Sequence, residues 1–516
     1  MGQLFYDWGD RLSAGRFIAV LAVVCASFCV LAGTAGAAPA DVDRSFGING
    51  SAGFLPPPAP GYVSAEDMAI GPEDEIFVLR SLRDCVVSTC KTSLYLERFL
   101  PDGQIDPSFG VNGAGAVVPV AARIEAFFPG SLAVAPDGRP VIAVKEGADI
   151  ALFRFDRNGA LDPTFGVGGK VAVDFGGDES SPQVAVQPDG RIVLAVGTSL
   201  GNNTILARYG QTGELDPSFG AGSPGSSGAG RLQISGGLMP SALALSNSGN
   251  IAFGAPGCCL ARGRLAYLGS RRADGGLVSG SRRSTWHSVR VGREASVSSV
   301  VALPNGKVYL VGASEEGAFA VKLLADGRVD AGFGRKGIVR FPAMTSSYAR
   351  PQAAVDAAGR LIVAGAGVNE DEPFGYPQVV ARRLPDGRRD RIWAGGRSVV
   401  SASSYAITQV IAIGLQAKGK VVIFSVAGGC VRSCNSDRRL LTRFVGGSER
   451  PRCLGRRATI VGSDRPERIV GTPRRDVIAA QGGDDTVYGR GGNDLICGGR
   501  GTDELFGGAG RDRLHL

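Results

Sequence analysis

Histidine is nearly missing from this chain: only His287 and His515 occur in 516 residues. That excludes a histidine-built metal site and leaves little room for a Ser-His-Asp arrangement, which needs a base within reach of its nucleophile. No G-x-S-x-G elbow with a partner histidine in order, no phosphate-binding P-loop and no dinucleotide fingerprint is present. Methionine (4) and aromatic residues (7%) are few, and charged residues make up only 20%. Lysine is scarce, so the net charge of +8 rests on dispersed arginines. A nucleic-acid binder would concentrate such charge on one element, so that class is set aside. After residue 40 no apolar run is long enough to span a bilayer.

What is abundant is glycine, 78 residues, within a composition that is 44% hydrophobic. Together these predict a turn-rich, all-β chain able to bury a sizeable core. Length alone would suggest three domains, but internal repeats overrule that count. Residues 1–37 read as a signal peptide. Arg11 and Arg16 precede the apolar stretch 17–31, which is short for a span, and Ala35-Gly36-Ala37 offers a small-residue cleavage site. An uncleaved anchor is the rival reading. A lipoprotein is disfavoured because Phe28, not a small residue, precedes Cys29.

Eight cysteines remain after cleavage, and an even number in an exported chain reads as disulfides. Close spacing suggests Cys85–Cys90 and Cys430–Cys434, with Cys453 and Cys497 clipping the C-terminal segment. Cys258 and Cys259 are adjacent, and their pairing is open. Zinc is the alternative for such pairs, but four ligands would have to converge from distant places.

Asp106-Pro-Ser-Phe-Gly110, Asp162-Pro-Thr-Phe-Gly166 and Asp216-Pro-Ser-Phe-Gly220 recur at 54 to 56 residues, with weaker copies beginning at Asp43, Asp330 and Asp390. In phase with them runs a second element, an apolar strand, a Pro-Asp-Gly type turn and another apolar strand, as in 132–144 and 184–196. Asp-Gly between apolar strands is a hairpin signal, because glycine supplies the positive φ. Seven such turns fall near Asp74, Gly138, Gly190, Gly249, Gly306, Gly359 and Gly419. In the third unit the expected strands are 169–175, 183–187, 191–197 and 204–209. Four strands repeated seven times predict a seven-bladed β-propeller over 41–446. A residue repeated in every blade does the same mechanical job in each, so the Asp-Pro-Ser-Phe-Gly element reads as a turn with Phe109, Phe165, Phe219 and Phe333 wedged between blades. The cysteine loops should lie on the face opposite both recurring turns.

The chain closes on nonapeptides. Asp476, Asp485, Asp494, Asp503 and Asp512 recur every nine residues, each followed two places on by Ile478, Val487, Ile496, Leu505 or Leu514. The last three copies fit G-G-x-G-x-D-x-U-x, where U is apolar. Glycine permits the tight turn, aspartate offers oxygen to a hard cation, and the apolar residue fills the core of a very short strand.

On these motifs the middle of the chain resembles the delta-60 β-propeller repeat of bacterial secreted proteins, and the tail resembles the hemolysin-type (RTX) calcium-binding repeat. The second resemblance implies a short parallel β-roll over 459–516, after a linker at 447–458, with two nonapeptides per turn. Equivalent aspartates then stack at every second repeat, with calcium as the cofactor and all five aspartates as candidate ligands. Arg474 and Arg475 in the first copy make Asp476 the weakest of them. Asp512 stands in the final copy, so Asp485, Asp494 and Asp503 are the best. Neither resemblance implies a catalytic residue.

Two further features bear on partners. The connection 271–290 lacks the repeated element and carries Arg271, Arg272, Arg282, Arg283, Trp286 and His287, and a second basic cluster holds Arg382, Arg383, Arg388, Arg389 and Arg391. Arginine beside an exposed Trp could grip an acidic polymer of the cell envelope, whereas a solvated connection is the plainer reading. Carboxylates such as Glu146, Asp149, Glu315 and Glu316 could meet in a propeller channel. The expected protein is therefore an exported, extracellular or cell-surface, non-catalytic calcium-binding module that binds a polymer or another protein. The alternative is a propeller hydrolase or lyase acting through channel carboxylates, and a third is an inert scaffold.

Overall fold

The computed structural model describes residues 42–516 apart from 44, 49, 55–61, 87–88, 111–114, 119–129, 200–202, 222–229, 236–238, 247, 256–264, 276–285, 293–294, 345–349, 368–377, 394–397, 401–406, 428–437, 446–451 and 463–465. The expected signal peptide, Arg282, Arg283 and the cysteines at 258, 259, 430 and 434 lie outside the described residues. Among the described residues no helix is long and apolar enough to cross a membrane.

Residues 62–444 build four-stranded antiparallel sheets. The first runs outward through Tyr62–Ile70, Ile76–Val86, Thr89–Phe99 and Ala116–Val118. Five more, each of four consecutive strands, occupy 131–173, 179–235, 242–290, 296–341 and 352–400. The last sheet is composite: Ile407–Leu415, Val421–Ala427 and Arg438–Phe444 are completed by Ser51–Ala52 from the other end of the chain. The first strands of successive sheets contact one another in a ring, with 407–415 returning to 62–70. This is a β-propeller. The seven repeats expected from the sequence give six blades continuous in the chain and one closure sheet.

The strand phasing expected for the third unit needs correction. Lys170–Val173 does not open that unit. It pairs with Asp149–Arg154 as the outer strand of the preceding blade, and the third blade begins at Glu179–Val186. The Asp-Pro-Ser-Phe-Gly element therefore joins a third strand to a fourth, rather than one blade to the next. That one-strand shift leaves the last sheet a strand short, which Ser51–Ala52 supplies.

Second and third strands such as Ile192–Thr198 and Asn203–Tyr209 are buried along their whole length. A neighbouring blade covers each face, so the sequence shows continuous apolar runs instead of strict alternation. Phe109, fully buried, packs with Ile142 and Phe153 of the next blade, and Phe165 likewise with Val184 and Leu194. Burying one such ring stabilises by about 2–3 kcal/mol.

Of the cysteine loops expected opposite the Asp-Gly and Asp-Pro-Ser-Phe-Gly turns, only the hairpin of Cys85 and Cys90 belongs to the described residues, and it joins the second strand of its blade to the third. Cys85 stands directly opposite Cys90 in the first such hairpin. Non-reducing peptide mapping should recover an 85–90 bridge, and free thiols at both positions would contradict it. In the tail, Cys453 and Cys497 are bonded, with Cα atoms 5.6 Å apart.

Candidate metal centre

Residues 460–516 depart from the propeller's antiparallel pattern: every strand pairing here is parallel. One sheet stacks Ile460–Val461, Val477–Gly482, Leu495–Arg500 and Arg513–His515, and the other stacks Arg468–Val470, Thr486–Tyr488 and Glu504–Phe506. Ile478 pairs with Ile496 and Val487 with Leu505, so register advances by eighteen residues, two nonapeptides per coil. Ile469, Ile478, Val487 and Ile496 form one buried cluster between the sheets. Cys453, Ala458, Val477, Ala479 and Leu495 form another, so the ordered tail begins inside the stretch expected as linker. Outside, Tyr488 stacks on Phe506 at 4.9 Å, and Arg468 lies over Tyr488.

This winding brings the aspartates into two columns, 476–494–512 and 485–503. Within them, Oδ1 of each lower carboxylate accepts the backbone N–H one coil earlier. The Asp476 amide donates to Asp494 at 2.8 Å, the Asp494 amide to Asp512 at 2.8 Å and the Asp485 amide to Asp503 at 3.0 Å. The Glu467 amide donates to Asp485 at 2.9 Å. The second oxygens differ. Those of Asp485 and Asp494 are buried with no hydrogen-bond partner. Asp476 is fully occupied: Thr472 donates to its Oδ2 from backbone and hydroxyl at 2.7 and 2.9 Å, and Thr459 to its Oδ1.

The glycines explain how oxygens crowd together here. A Cβ on Gly489 would lie 2.4 Å from the Gly507 carbonyl oxygen and 2.5 Å from Asp494 Oδ2. Two oxygens from successive coils thus converge on a space that only glycine leaves open. At the turns, Gly501 and Gly510, with φ of 123° and 141°, sit directly under the Gly483 and Gly492 carbonyls. The donors are all oxygen, the set a hard cation such as calcium takes, at about 2.3–2.6 Å. Burial first, then the charges of Asp503, Glu467 and Asp484, push the Asp485 carboxyl up to about 6. Burial, then Asp512 and Asp476, raise Asp494. A bound cation would reverse both effects. The residues present fit calcium.

The propeller residues singled out from sequence are dispersed. Arg382 and Arg383 are buried, not an exposed basic surface. Arg382 Nε donates to Asp390 at 2.8 Å beneath Trp393, and desolvation pulls its pKa down to about 10. Arg271 is buried too, while Arg272 and Arg388 are exposed. Trp286 and His287 lie in the strand Trp286–Arg290. Glu146, Asp149, Glu315 and Glu316 stand at second-to-third-strand hairpins, away from the ring of first strands. Glu146 pairs with Lys170 and Glu316 with Arg340. On the ring itself, Asp67 accepts the Leu132 amide of the next blade at 2.8 Å, a stitch that Ser131 and Ser299 make to Val184 and Ala353. Glu66 accepts the Ser81 hydroxyl.

Sequence reasoning missed the partner of the repeated aspartate. Arg98, Arg154, Arg208 and Arg382 each stand eight residues before Asp106, Asp162, Asp216 and Asp390 and donate Nε to Oδ2 at 2.7–2.9 Å. Each guanidinium covers the motif's ring at 4.6–4.9 Å. Arg98, Arg154 and Arg208 also reach a backbone carbonyl of the following blade. Arginine at that fixed offset was the available signal.

Fold and site together define a β-propeller followed by a β-roll of stacked aspartates. The RTX calcium-binding nonapeptide repeat model (4 copies) matches residues 461–496 and 496–516. A model described as a domain of unknown function (DUF5122) beta-propeller matches 187–219. No curated protein is similar to the chain at a significant level. Similar solved structures include the polysaccharide lyase Uly1 (10% identity, TM-score 0.42, covering 78% of this chain and 95% of that one). Another is Sqt1 of Chaetomium thermophilum (12%, 0.42, 78% and 98%). A third is the calcium-binding protein regucalcin of Agrobacterium tumefaciens (13%, 0.31, 61% and 85%). At these TM-scores the likenesses support no conclusion about this chain.

Proposed function

We infer that this is an exported bacterial protein whose tail folds around calcium and whose delta-60-type propeller serves as a non-catalytic binding module at the cell surface or beyond it. The observation that carries the calcium reading is the pair of buried, unpartnered oxygens on Asp485 and Asp494. Asp485, Asp494 and Asp503 are the principal ligands, Asp512 contributes from the last coil, and Asp476 contributes least because Thr472 and Thr459 already satisfy it. Export fits the Cys453–Cys497 bond, since such bonds persist in oxidising compartments. Binding suits the propeller better than catalysis because the ring carboxylates Glu66 and Asp67 are engaged in stitching strands together. With Arg382 and Arg383 buried, an acidic polymer would have to be held by exposed arginines such as Arg272 and Arg388.

Titration of the purified chain with calcium tests the first part. Saturable binding that falls in Asp485→Asn and Asp494→Asn is expected, and unaltered binding in both would remove the tail from the reading. A pull-down from cell-envelope extract, with and without calcium, tests the second part.

A further inference from the structure

A second oxygen cluster lies in the propeller, far from the nonapeptides in sequence. Asp149 opens the third strand of the blade 131–173, Asp174 follows that blade's outer strand, and Glu179 opens the first strand of the next. One carboxylate oxygen from each lies within 4.8 Å of the other two, the one such grouping among the described residues. Gly176 and Gly177, at φ of 87° and 92°, turn the short connection so that Asp174 and Glu179 face the same point.

Glu179 is wholly buried, and neither of its carboxylate oxygens has a hydrogen-bond partner. The Phe175 amide lies near enough to lower its pKa but outside hydrogen-bonding geometry. Burial, then the charge of Asp149, push the Glu179 carboxyl up to about 7. Two lysines stand nearby. Lys145 Nζ meets Asp178 and donates to the Glu179 backbone carbonyl at 2.6 Å, and Lys170 Nζ meets Glu146 Oε2 at 2.6 Å. Three carboxylates thus face one another at a blade seam, and the Lys145 ammonium beside them lowers the Glu179 carboxyl too little to cancel its upward shift. A buried, unpaired carboxylate is expensive to hold. The repeat does not impose it, since no other seam among the described residues gathers three.

We propose that Asp149, Asp174 and Glu179 bind one hard divalent cation, calcium in an extracellular setting, at this seam. Oxygens on one calcium ion stand at most roughly 4.6–5.2 Å apart, twice a ligand distance of about 2.3–2.6 Å, and the three oxygens here lie inside that limit. An all-carboxylate donor set selects calcium, magnesium or manganese over softer metals. The ion joins the outer strand of one blade to the inner strand of the next, so its role is to fix that seam.

The test counts bound calcium per full-length chain by equilibrium dialysis. Glu179→Gln and Asp149→Asn should each bind one ion fewer than the unaltered chain. A chain carrying Asp485→Asn, Asp494→Asn and Asp503→Asn in the tail should keep the propeller ion, which separates this proposal from the calcium reading of the tail. In calcium-free buffer Glu179→Gln should melt higher than the unaltered chain, because an amide leaves no buried charge, and its midpoint should no longer rise with calcium. Asp174→Asn, at an exposed position, gives the same ion count should either other variant fail to fold. Equal calcium numbers in the unaltered chain and in the folded variants would overturn the proposal.

Discussion

Chelating calcium should unfold the tail and leave the propeller standing. Under limited proteolysis the intact chain should lose residues 459–516 in EDTA and keep them in millimolar calcium. The reason lies in the columns 476–494–512 and 485–503, where each carboxylate stands one coil from its neighbour and accepts that neighbour's amide. Stacked like charges repel, and glycine-rich turns contribute little of their own. Calcium at 100 times its dissociation constant would add about 2.7 kcal/mol for each site that exists only in the folded tail. Asp494→Asn separates the two jobs of that side chain. Its carbonyl can still accept the Asp476 amide, so the calcium-free tail should be no weaker than the parent, while protection by calcium is lost. Asp494→Ala removes the acceptor as well and should cost a further ~1–3 kcal/mol for the stranded amide. Equal protection in EDTA and in calcium would show that the nonapeptides fold without an ion. The Cys453–Cys497 bond joins two strands of the same unit, so the assay needs reducing and non-reducing arms.

How far the sequence disclosed this molecule varies with the kind of contact. Asp-Gly turns and nonapeptides are local, and each carries its own conformational reason, so the strands and coils were legible. Strand phase was not. A meander of alternating turns reads alike whichever strand is taken as first, and the clue lay across the chain. Asp43 belongs to the repeated motif, yet Ala35 occupies the place eight residues before it. Its arginine is Arg443, at the far end of the last sheet. In the tail, the coil from Ile460 lay inside the expected roll, but the aspartate column was read only from Asp476 because Glu467 stands where later coils have aspartate. The nine-residue spacing of Ile460, Ile469 and Ile478 carries the apolar half of the repeat back to that coil. The triad of Asp149, Asp174 and Glu179 leaves no sequence pattern, since a blade seam alone brings it together.

Breaking one arginine–aspartate lock should destabilise the propeller by about 3–5 kcal/mol, because the surviving partner stays buried and unpaired. Asp162→Ala is the most direct case. Its carboxylate takes the Thr164 amide and hydroxyl, Arg139 at 2.8 Å and Arg154 Nε at 2.8 Å, and Arg154 is only 3% exposed. Asp386→Ala, which frees the exposed Arg388, should cost less than about 1 kcal/mol and serves as the control. Acid should act through the same groups. Burial pushes the Asp162 carboxyl up, but bonds from Thr164 and Arg139 and the Arg154 charge outweigh it and hold it down at about 2. Asp43 is likewise held at about 2 against its burial by Ser45, Lys420 and Arg443, and Asp106 and Asp216 are lowered in the same way. A carboxylate whose folded pKa is depressed contributes stability that is complete above its unfolded value, near 3.8, and is lost as pH falls through the folded one. In calcium-free buffer the propeller's melting temperature should therefore rise from pH 7 to pH 5, where burial-raised Glu179 (about 7) and Asp67 (about 6) take up protons while the locks stay intact, and drop between roughly pH 4 and pH 2 as the locks are lost. In Asp162→Ala that acid drop should be shallower, since the variant has already given up one lock. An acid profile parallel to that of the unaltered chain would mean that these arginines hold the blades by stacking on Phe165 and its counterparts, with the carboxylates contributing little.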